Sequence, residues 1–138
     1  MVVLSPLLTA AGFYRMPFRI REEVPIQIAL EETGAIVRGR IDILVIQQQL
    51  WVLVIESKQA GFSLKTGIAQ ALSYIVATPN QHRSVLGMVT NGSHFIFLKL
   101  ILGETKQYAI SDEFSLLKRG NDLHTALSIL KYMGNNIS

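Results

Sequence analysis

The sequence predicts one α/β domain in which a mixed β-sheet is flanked by helices. The chain has 138 residues, the usual size of one domain, and 49% of them are hydrophobic, which is enough for a real core. Stretches of helical and strand periodicity follow one another in the order helix, three strands, helix, strands, helix. The strand that begins at Leu50 is apolar at successive positions, which is typical of a central strand covered on both faces.

The first helix and the first strand lie before a turn at Gly34. Residues Met1–Phe13 are largely apolar and predict a helix that stops at Gly12. Residues Phe18–Leu30 alternate in part, which predicts one long strand or two short ones around Pro25.

The middle of the chain predicts a β-hairpin followed by a helix. Ile36–Ile46 and Leu50–Lys58 read as paired strands around a short turn at Gln47–Gln49. Thr66–Ala77 has helical periodicity and is stopped by Pro79. The residues expected on its inward face are Ile68, Leu72, Ile75 and Val76.

The last third of the chain returns to strands before a closing helix. Val85–Thr90 and His94–Leu100 flank Asn91-Gly92, a pair that favours a tight hairpin because both residues tolerate positive φ. Thr105–Ile110 predicts a further strand, and Leu123–Tyr132 predicts an amphipathic helix. The residues expected to face inward from that helix are Leu123, Leu127, Ile129 and Leu130.

Composition excludes several classes of function. The chain has no cysteine, so a disulfide framework, a thiolate zinc site and a cysteine nucleophile are excluded. The longest apolar run, Leu50–Ile55, is far shorter than the roughly 20 residues of a membrane span, so we expect no membrane association. We expect a cytoplasmic protein. The net charge of +3 favours an anionic partner such as nucleic acid, although ordinary solubility charge explains it equally well.

The end of the strand "WVLVIESK" carries the first candidate site. Glu56 and Lys58 are two residues apart, so their side chains point to the same face of the sheet. In the preceding strand Asp42 interrupts an apolar run. Counting back from the hairpin turn sets Asp42 roughly opposite Glu56, so two carboxylates and one lysine converge at one end of the sheet. The alternative for each residue alone is an ordinary ion pair or a solvated side chain at a strand end.

Two neighbouring carboxylates repel each other unless a cation lies between them. Mg²⁺, or Mn²⁺ in its place, suits oxygen ligands of this kind, and the backbone carbonyl of Ser57 could add a ligand. Such a metal activates water and neutralises charge on a phosphodiester, while Lys58 would hold the attacking water or stabilise the developing charge. Arg38 and Arg40 alternate with Asp42 and could reach phosphates from the same face.

These residues carry a resemblance to a known superfamily. Asp42, then Glu56-Ser57-Lys58 after a hairpin, then a helix with Gln70 and Tyr74 in "GIAQALSYIVA", resembles the PD-(D/E)XK nucleases. The helical pair is similar to the Gln-x-x-x-Tyr motif of the branch that includes the nuclease domain of type I restriction R subunits. The stretch from Ile36 to about Leu100 also resembles small restriction-endonuclease-like proteins of cyanobacteria.

The resemblance implies a restriction-endonuclease-like fold and a Mg²⁺-dependent deoxyribonuclease. It implies that Asp42 and Glu56 bind metal, that Lys58 is catalytic, and that Gln70 positions the lysine or the DNA backbone. Tyr74 would contact DNA or brace the site. Lys65, beside the site helix, is a further candidate for contact with the DNA backbone. DNA is the expected partner, together with a second copy of the chain or restriction-modification subunits.

The chain departs from the family pattern at two positions. Ile41 stands where a proline often precedes the aspartate, and the first predicted helix lacks the acid that the family often has there. The second departure leaves two alternatives open for the expected single domain over residues 1–138: either it begins upstream of Met1, or the acid is missing. A catalytically inactive nuclease fold that binds DNA or a restriction-complex partner is therefore the alternative function.

Overall fold

The computed structural model describes residues 4–29, 33–59, 64–80, 84–91, 93–102, 104–115 and 122–135. The predicted fold class is confirmed, because helices flank one mixed sheet. The elements are α1 (Leu4–Ala11), β1 (Phe18–Ala29), β2 (Ile36–Gln47), β3 (Leu50–Ser57), α2 (Leu64–Val76), β4 (Val85–Thr90), β5 (His94–Ile101), β6 (Gln107–Ser115) and α3 (Asp122–Asn135).

The six strands that the structure describes form one sheet in sequence order, β1-β2-β3-β4-β5-β6. Neighbouring strands are antiparallel except β3 and β4, which are parallel. A parallel neighbour requires a crossover connection, and α2 supplies it. The carboxyl ends of β3 and β4 therefore lie at the same end of the sheet. In the chain, β3 is followed by α2, and β4 is followed by β5.

Each face of the sheet has its own apolar core. The face covered by α1 and α3 buries Leu8 and Leu130 from those helices against strand residues such as Ile43, Leu53, Ile55, Met88, Phe95 and Phe97. The opposite face, which we call the α2 face, buries Leu64, Ala71, Tyr74 and Ile75 against Ile41, Leu44, Val54, Val89 and Leu98. Burial on both sides explains why β3 is apolar at successive positions.

The first strand is continuous, and of the two alternatives that the sequence left open, one long strand is correct. Pro25 is tolerated inside it because β1 is an edge strand and Pro25 pairs only with Arg40 of β2. The ladder is irregular at Glu23, where φ is +51°. Gly12, at φ +91°, ends α1 as predicted, and Gly34, at φ +68°, lies in the connection between β1 and β2. Leu30, which was also predicted to be strand, lies outside the described residues.

The helices differ from the sequence prediction at their ends. Helix α2 begins at Leu64, two residues earlier than predicted, and Val76 is 45% exposed, so its predicted inward position is wrong. The other three residues expected on the inward face are confirmed, because Ile75 is buried and Ile68 and Leu72 are partly buried against the core. The helix also buries Leu64, Gly67, Ala71 and Tyr74. In α3, Leu130 is buried and Leu127 and Ile129 are partly buried, as predicted. The side chain of Leu123 lies outside what the structure describes.

Asn80, just after α2, fixes the start of β3. Its side-chain amide donates to the carbonyl of Trp51 at 2.8 Å and accepts from the N–H of Trp51 at 2.9 Å. The amide thus satisfies both backbone groups of one strand residue from a buried position. Within the described part of the chain, none of the helices has both the length and the apolar character that a membrane span requires.

Candidate active site

The carboxylates of Asp42 and Glu56 lie together where the β2–β3 ladder ends. The last regular pair is Ile43 with Ile55, and the next step of the same register sets Asp42 opposite Glu56, as the sequence predicted. Side chains replace the ladder hydrogen bonds at this step. The N–H of Asp42 donates to Glu56 Oε1 at 3.4 Å, and the N–H of Ser57 donates to Asp42 Oδ2 at 2.8 Å. Each carboxylate is therefore held by the backbone of the opposite strand.

Glu56 is the most unusual group of this site because its side chain is only 1% exposed. Glu56 lies two residues after Val54 in β3, so its side chain is on the same face of the sheet as Val54, which packs in the core of the α2 face. Burial, together with the negative charge of Asp42, raises the pKa of Glu56 from 4.5 to about 7. Lys58 and the N–H of Asp42 act in the opposite direction on this pKa. A buried carboxylate beside a second acid is costly to ionise without a compensating cation.

Lys58 extends the end of β3 and packs against α2. Its N–H donates to the carbonyl of Thr90 at 2.7 Å, which continues the parallel pairing of β3 and β4 by one step. A Cβ placed on Gly67 would lie 3.6 Å from both Cγ and Cε of Lys58, so the lysine stem crosses α2 at that glycine. The half-buried ammonium of Lys58 donates to Oε1 of Gln70 on the next helical turn.

Gln70 and Tyr74 continue this hydrogen-bond network along α2. The amide nitrogen of Gln70 donates to the Tyr74 hydroxyl at 2.9 Å, and the N–H of Arg40 on β2 donates to the same hydroxyl at 3.4 Å. The amide of Gln70 therefore has its oxygen toward Lys58 and its nitrogen toward Tyr74. Tyr74 is buried, which favours the bracing role over direct contact with DNA. The predicted set of Asp42, Glu56, Lys58, Gln70 and Tyr74 thus lies at one end of the sheet, on strands β2 and β3 and helix α2.

The other predicted nucleic-acid contacts are exposed basic side chains. Arg38 lies across the ladder from Gln27, and Arg40 lies 3.9 Å from Glu23 in an exposed ion pair. Lys65 is exposed in the first turn of α2. Their contact with a phosphate backbone stays a prediction.

The donor chemistry of the site fits a hard divalent cation. Two carboxylates lie together, and the pKa of Glu56 stays raised even with the positive charge of Lys58 nearby. Among the residues that the structure describes, no group of three or more His, Asp or Glu side chains is arranged to hold a metal. Protein ligands would therefore come from Asp42, Glu56 and backbone carbonyls, the predicted Ser57 carbonyl among them, and water would complete the shell.

Sequence reasoning missed two contributors to this site. Gly39 on β2 faces the Tyr74 ring closely, and Thr90 on β4 accepts the Lys58 N–H. A glycine inside a strand signals close approach of another group, so Gly39 carried a usable signal in "RGRID". Thr90 carried none, because its contribution is a backbone carbonyl that depends on the parallel register of β3 and β4.

Comparison with known proteins identifies a solved structure with the same fold. No family model matches the chain, and no curated protein matches it. One matching solved structure is a fragment described as a "putative HsdR subunit of a type I restriction enzyme" from Vibrio vulnificus YJ016, with a TM-score of 0.55 and 18% sequence identity. The match covers 94% of this chain but 24% of that one, so the chain spans about a quarter of the length of the protein it matches. The two share their fold.

Proposed function

We propose that this chain is a metal-dependent nuclease of the PD-(D/E)XK type that hydrolyses phosphodiester bonds of DNA. The observation that carries the proposal is the arrangement of Asp42, Glu56 and Lys58 at one end of the sheet, with the lysine held by Gln70. The fold shared with the restriction-enzyme fragment supports the same reading. Each of these residue pairs has an ordinary structural explanation alone, whereas the combination has the groups that phosphodiester hydrolysis requires.

The carboxylates of Asp42 and Glu56 would hold Mg²⁺ or Mn²⁺. When bound, the cation supplies Lewis-acid activation of the phosphodiester and of the attacking water, and it compensates the charge of both carboxylates. The backbone N–H groups of Asp42 and Ser57 keep the two carboxylates in place by hydrogen bonds from the opposite strands. Preformed carboxylates reduce the reorganisation that binding of the cation would otherwise require.

Lys58 would stabilise the negative charge that develops on the phosphate oxygens, or orient the attacking water. Its ammonium has three donors, and Gln70 accepts one of them, so donors remain for substrate. The half-buried position of this lysine strengthens its electrostatic effect relative to a fully solvated one.

DNA would be bound mainly through its backbone. Arg38, Arg40 and Lys65 are exposed cations on the elements that carry the site, and the net charge of the chain is +3. A second copy of the chain would allow both strands of a duplex to be cut, and restriction-modification subunits are the other partners we propose. We also propose that the protein acts in the cytoplasm.

The proposal is tested by incubating the protein with supercoiled, linear and single-stranded DNA, and with RNA, in the presence of Mg²⁺, Mn²⁺ or a chelator. We expect metal-dependent cleavage of DNA by the wild type, and a loss on the order of 10²-fold or more in the Lys58→Ala variant. Lys99→Ala is the matched control, since Lys99 is an exposed lysine on β5. Equal cleavage by wild type and Lys58→Ala would contradict the proposal, because the activity would then come from elsewhere.

The small number of acidic residues at the described site favours a second candidate function. Helix α1 has no acidic residue in its sequence "LSPLLTAA", and two carboxylates are a small donor set for a nuclease. A nuclease fold that binds DNA or a partner subunit without cleaving is therefore the alternative. Calorimetric titration with Mg²⁺ separates the two: heat of binding that is lost in Glu56→Ala favours the nuclease, and DNA binding without any such heat favours the binding module.

A further inference from the structure

The hydroxyl end of the Tyr74 ring lies directly over Gly39, where a larger residue would have its side chain. A Cβ on Gly39 would lie 2.6 Å from Cε1 and 2.6 Å from the hydroxyl oxygen of Tyr74, and 2.9 Å from Cζ. Such distances are far below van der Waals contact, so any other residue at position 39 would displace the aromatic ring. Glycine is required here for space, because the neighbouring group is a rigid ring in a buried position.

The location of the Tyr74 hydroxyl matters because two groups donate to it. One is the N–H of Arg40, at 3.4 Å, immediately after Gly39 in β2, and the other is the Gln70 amide, at 2.9 Å. The hydroxyl thereby connects the second strand to the helix that follows the predicted catalytic lysine. A phenylalanine ring would fill the same space and make neither contact, so packing alone does not account for a tyrosine.

The Tyr74 hydroxyl decides which way the Gln70 amide points. An amide has a donor end and an acceptor end, and the donor end is taken by Tyr74. The acceptor end is therefore presented to the Lys58 ammonium, which it binds. If the ring moved, Gln70 would lose the contact that orients it, and Lys58 would lose a fixed acceptor.

We infer that Gly39 is a positioning residue, which acts through Tyr74 and Gln70 to fix the ammonium of Lys58. The inference rests on the proposed function in assigning a catalytic role to Lys58, and it adds a residue of β2 to the groups on which that role depends. Gly39 lies on the strand that also carries Asp42, so one strand positions both an acid and, through the helix, the lysine.

The first test measures the network without requiring activity. In a ¹⁵N- and ¹³C-labelled protein, the side-chain amide of Gln70 and the ε-methylene of Lys58 are observed by NMR in wild type, Gly39→Ala and Tyr74→Phe. We expect both signals to shift in both variants. Gly87→Ala is the matched control, because it adds the same methyl group beneath α2 but against Ile75 Cδ1 at 2.6 Å, outside the network. We expect that control to leave the two signals in place.

The second test separates positioning from simple loss of folding. Single-turnover cleavage rates and DNA affinities are measured for folded protein, with unfolding followed in parallel. We expect Gly39→Ala to reduce the cleavage rate about 10-fold or more, with DNA affinity changed less than about twofold, because misplaced catalytic groups cost rate. In a Tyr74→Leu background, Gly39→Ala should cost little more, since residues acting through one contact are not additive.

The outcomes distinguish this inference from the proposed function. If the wild type cleaves nothing, the proposed function fails, and the NMR signals still decide whether Gly39 controls the position of Lys58. If Gly39→Ala does not fold, Tyr74→Phe gives the decision, since it keeps the ring and removes only the hydroxyl. The inference is overturned if the Gln70 and Lys58 signals stay in place in Tyr74→Phe, or if Gly87→Ala shifts them and slows cleavage as much as Gly39→Ala does.

Discussion

Ionisation of Glu56 should make the metal-free protein lose stability as the pH rises. The folded state raises the pKa of Glu56 from 4.5 to about 7. Below pH 4.5 both the folded and the unfolded chain hold the proton, so the favourable contribution of the protonated group is fully present. Between 4.5 and about 7 the unfolded chain releases the proton while the folded chain keeps it, so the free energy of unfolding falls.

The size of this loss of stability follows from the difference between the pKa values of Glu56 in the folded and unfolded states. At about 1.4 kcal/mol for each pH unit, the displacement from 4.5 to about 7 corresponds to roughly 3 kcal/mol. That is a large part of the stability of a small domain, which is typically about 5–15 kcal/mol. Glu56 is buried, so solvent screening reduces the effect only modestly.

Urea unfolding in a chelator, from about pH 4 to 8, isolates this contribution when wild type is compared with Glu56→Gln. We expect the stability of the wild type relative to Glu56→Gln to fall by about 3 kcal/mol over this range. Glu113→Gln changes an exposed acid of β6 and serves as the control, whose curve should run parallel to that of the wild type. A constant difference between wild type and Glu56→Gln at every pH would refute the reasoning, because Glu56 would then ionise equally in both states.

Other substitutions test the same account. Asp42→Asn removes the neighbouring negative charge, so the pKa of Glu56 should fall toward its ordinary value and the pH-dependent loss of stability should shrink in the same urea experiment. Asn80→Ala leaves both backbone groups of Trp51 without their partner and should cost about 2–3 kcal/mol in urea unfolding. An unchanged free energy of unfolding would contradict this role of Asn80. Mg²⁺ should raise the thermal midpoint of the wild type but not of Glu56→Gln, and equal shifts would place the cation elsewhere.

The sequence allowed the fold class and the pairing of the central strands to be predicted. Strands bounded by turn residues were located within a few positions, because Gly12, Gly34 and the Asn91-Gly92 turn punctuate the pattern strongly. The register of Asp42 opposite Glu56 followed from counting back along a hairpin whose turn was short. Turn residues and the short hairpin connection determine these features, and both can be recognised in one sequence.

The errors arose where tertiary packing decides. Val76 has the right spacing for the inward face of α2, yet it is exposed because the helix packs at Gly67 and Gly87, where small residues permit close approach. Glycines carry no hydrophobic signal, so the periodicity of apolar residues identified Ile68, Leu72 and Ile75 correctly but also assigned Val76 to the inward face. The last strand was predicted too short because "SDEFS" is polar, as suits a strand whose residues are mostly exposed.

Some residues of the candidate site could be predicted from the sequence and others could not. Asp42, Glu56 and Lys58 could be predicted because acids and a lysine at the ends of apolar strands stand out against their surroundings. The contact between Gly39 and Tyr74 was not predicted, because it joins β2 to α2, two elements separated in the sequence by β3. A glycine inside a strand indicates that some group approaches closely, but it does not say which group.

The proposed nuclease site requires Asp42 and Glu56 to share one divalent cation beside Lys58. The direct measurement is titration of ¹⁵N-labelled protein with Mn²⁺, whose unpaired electrons broaden the amide signals of nearby residues. The account predicts that the amides of Asp42, Ser57 and Lys58 broaden first in the wild type and in Glu113→Gln, and that this broadening is lost in Glu56→Gln. Broadening that begins elsewhere in the chain, or that survives in Glu56→Gln, would contradict it.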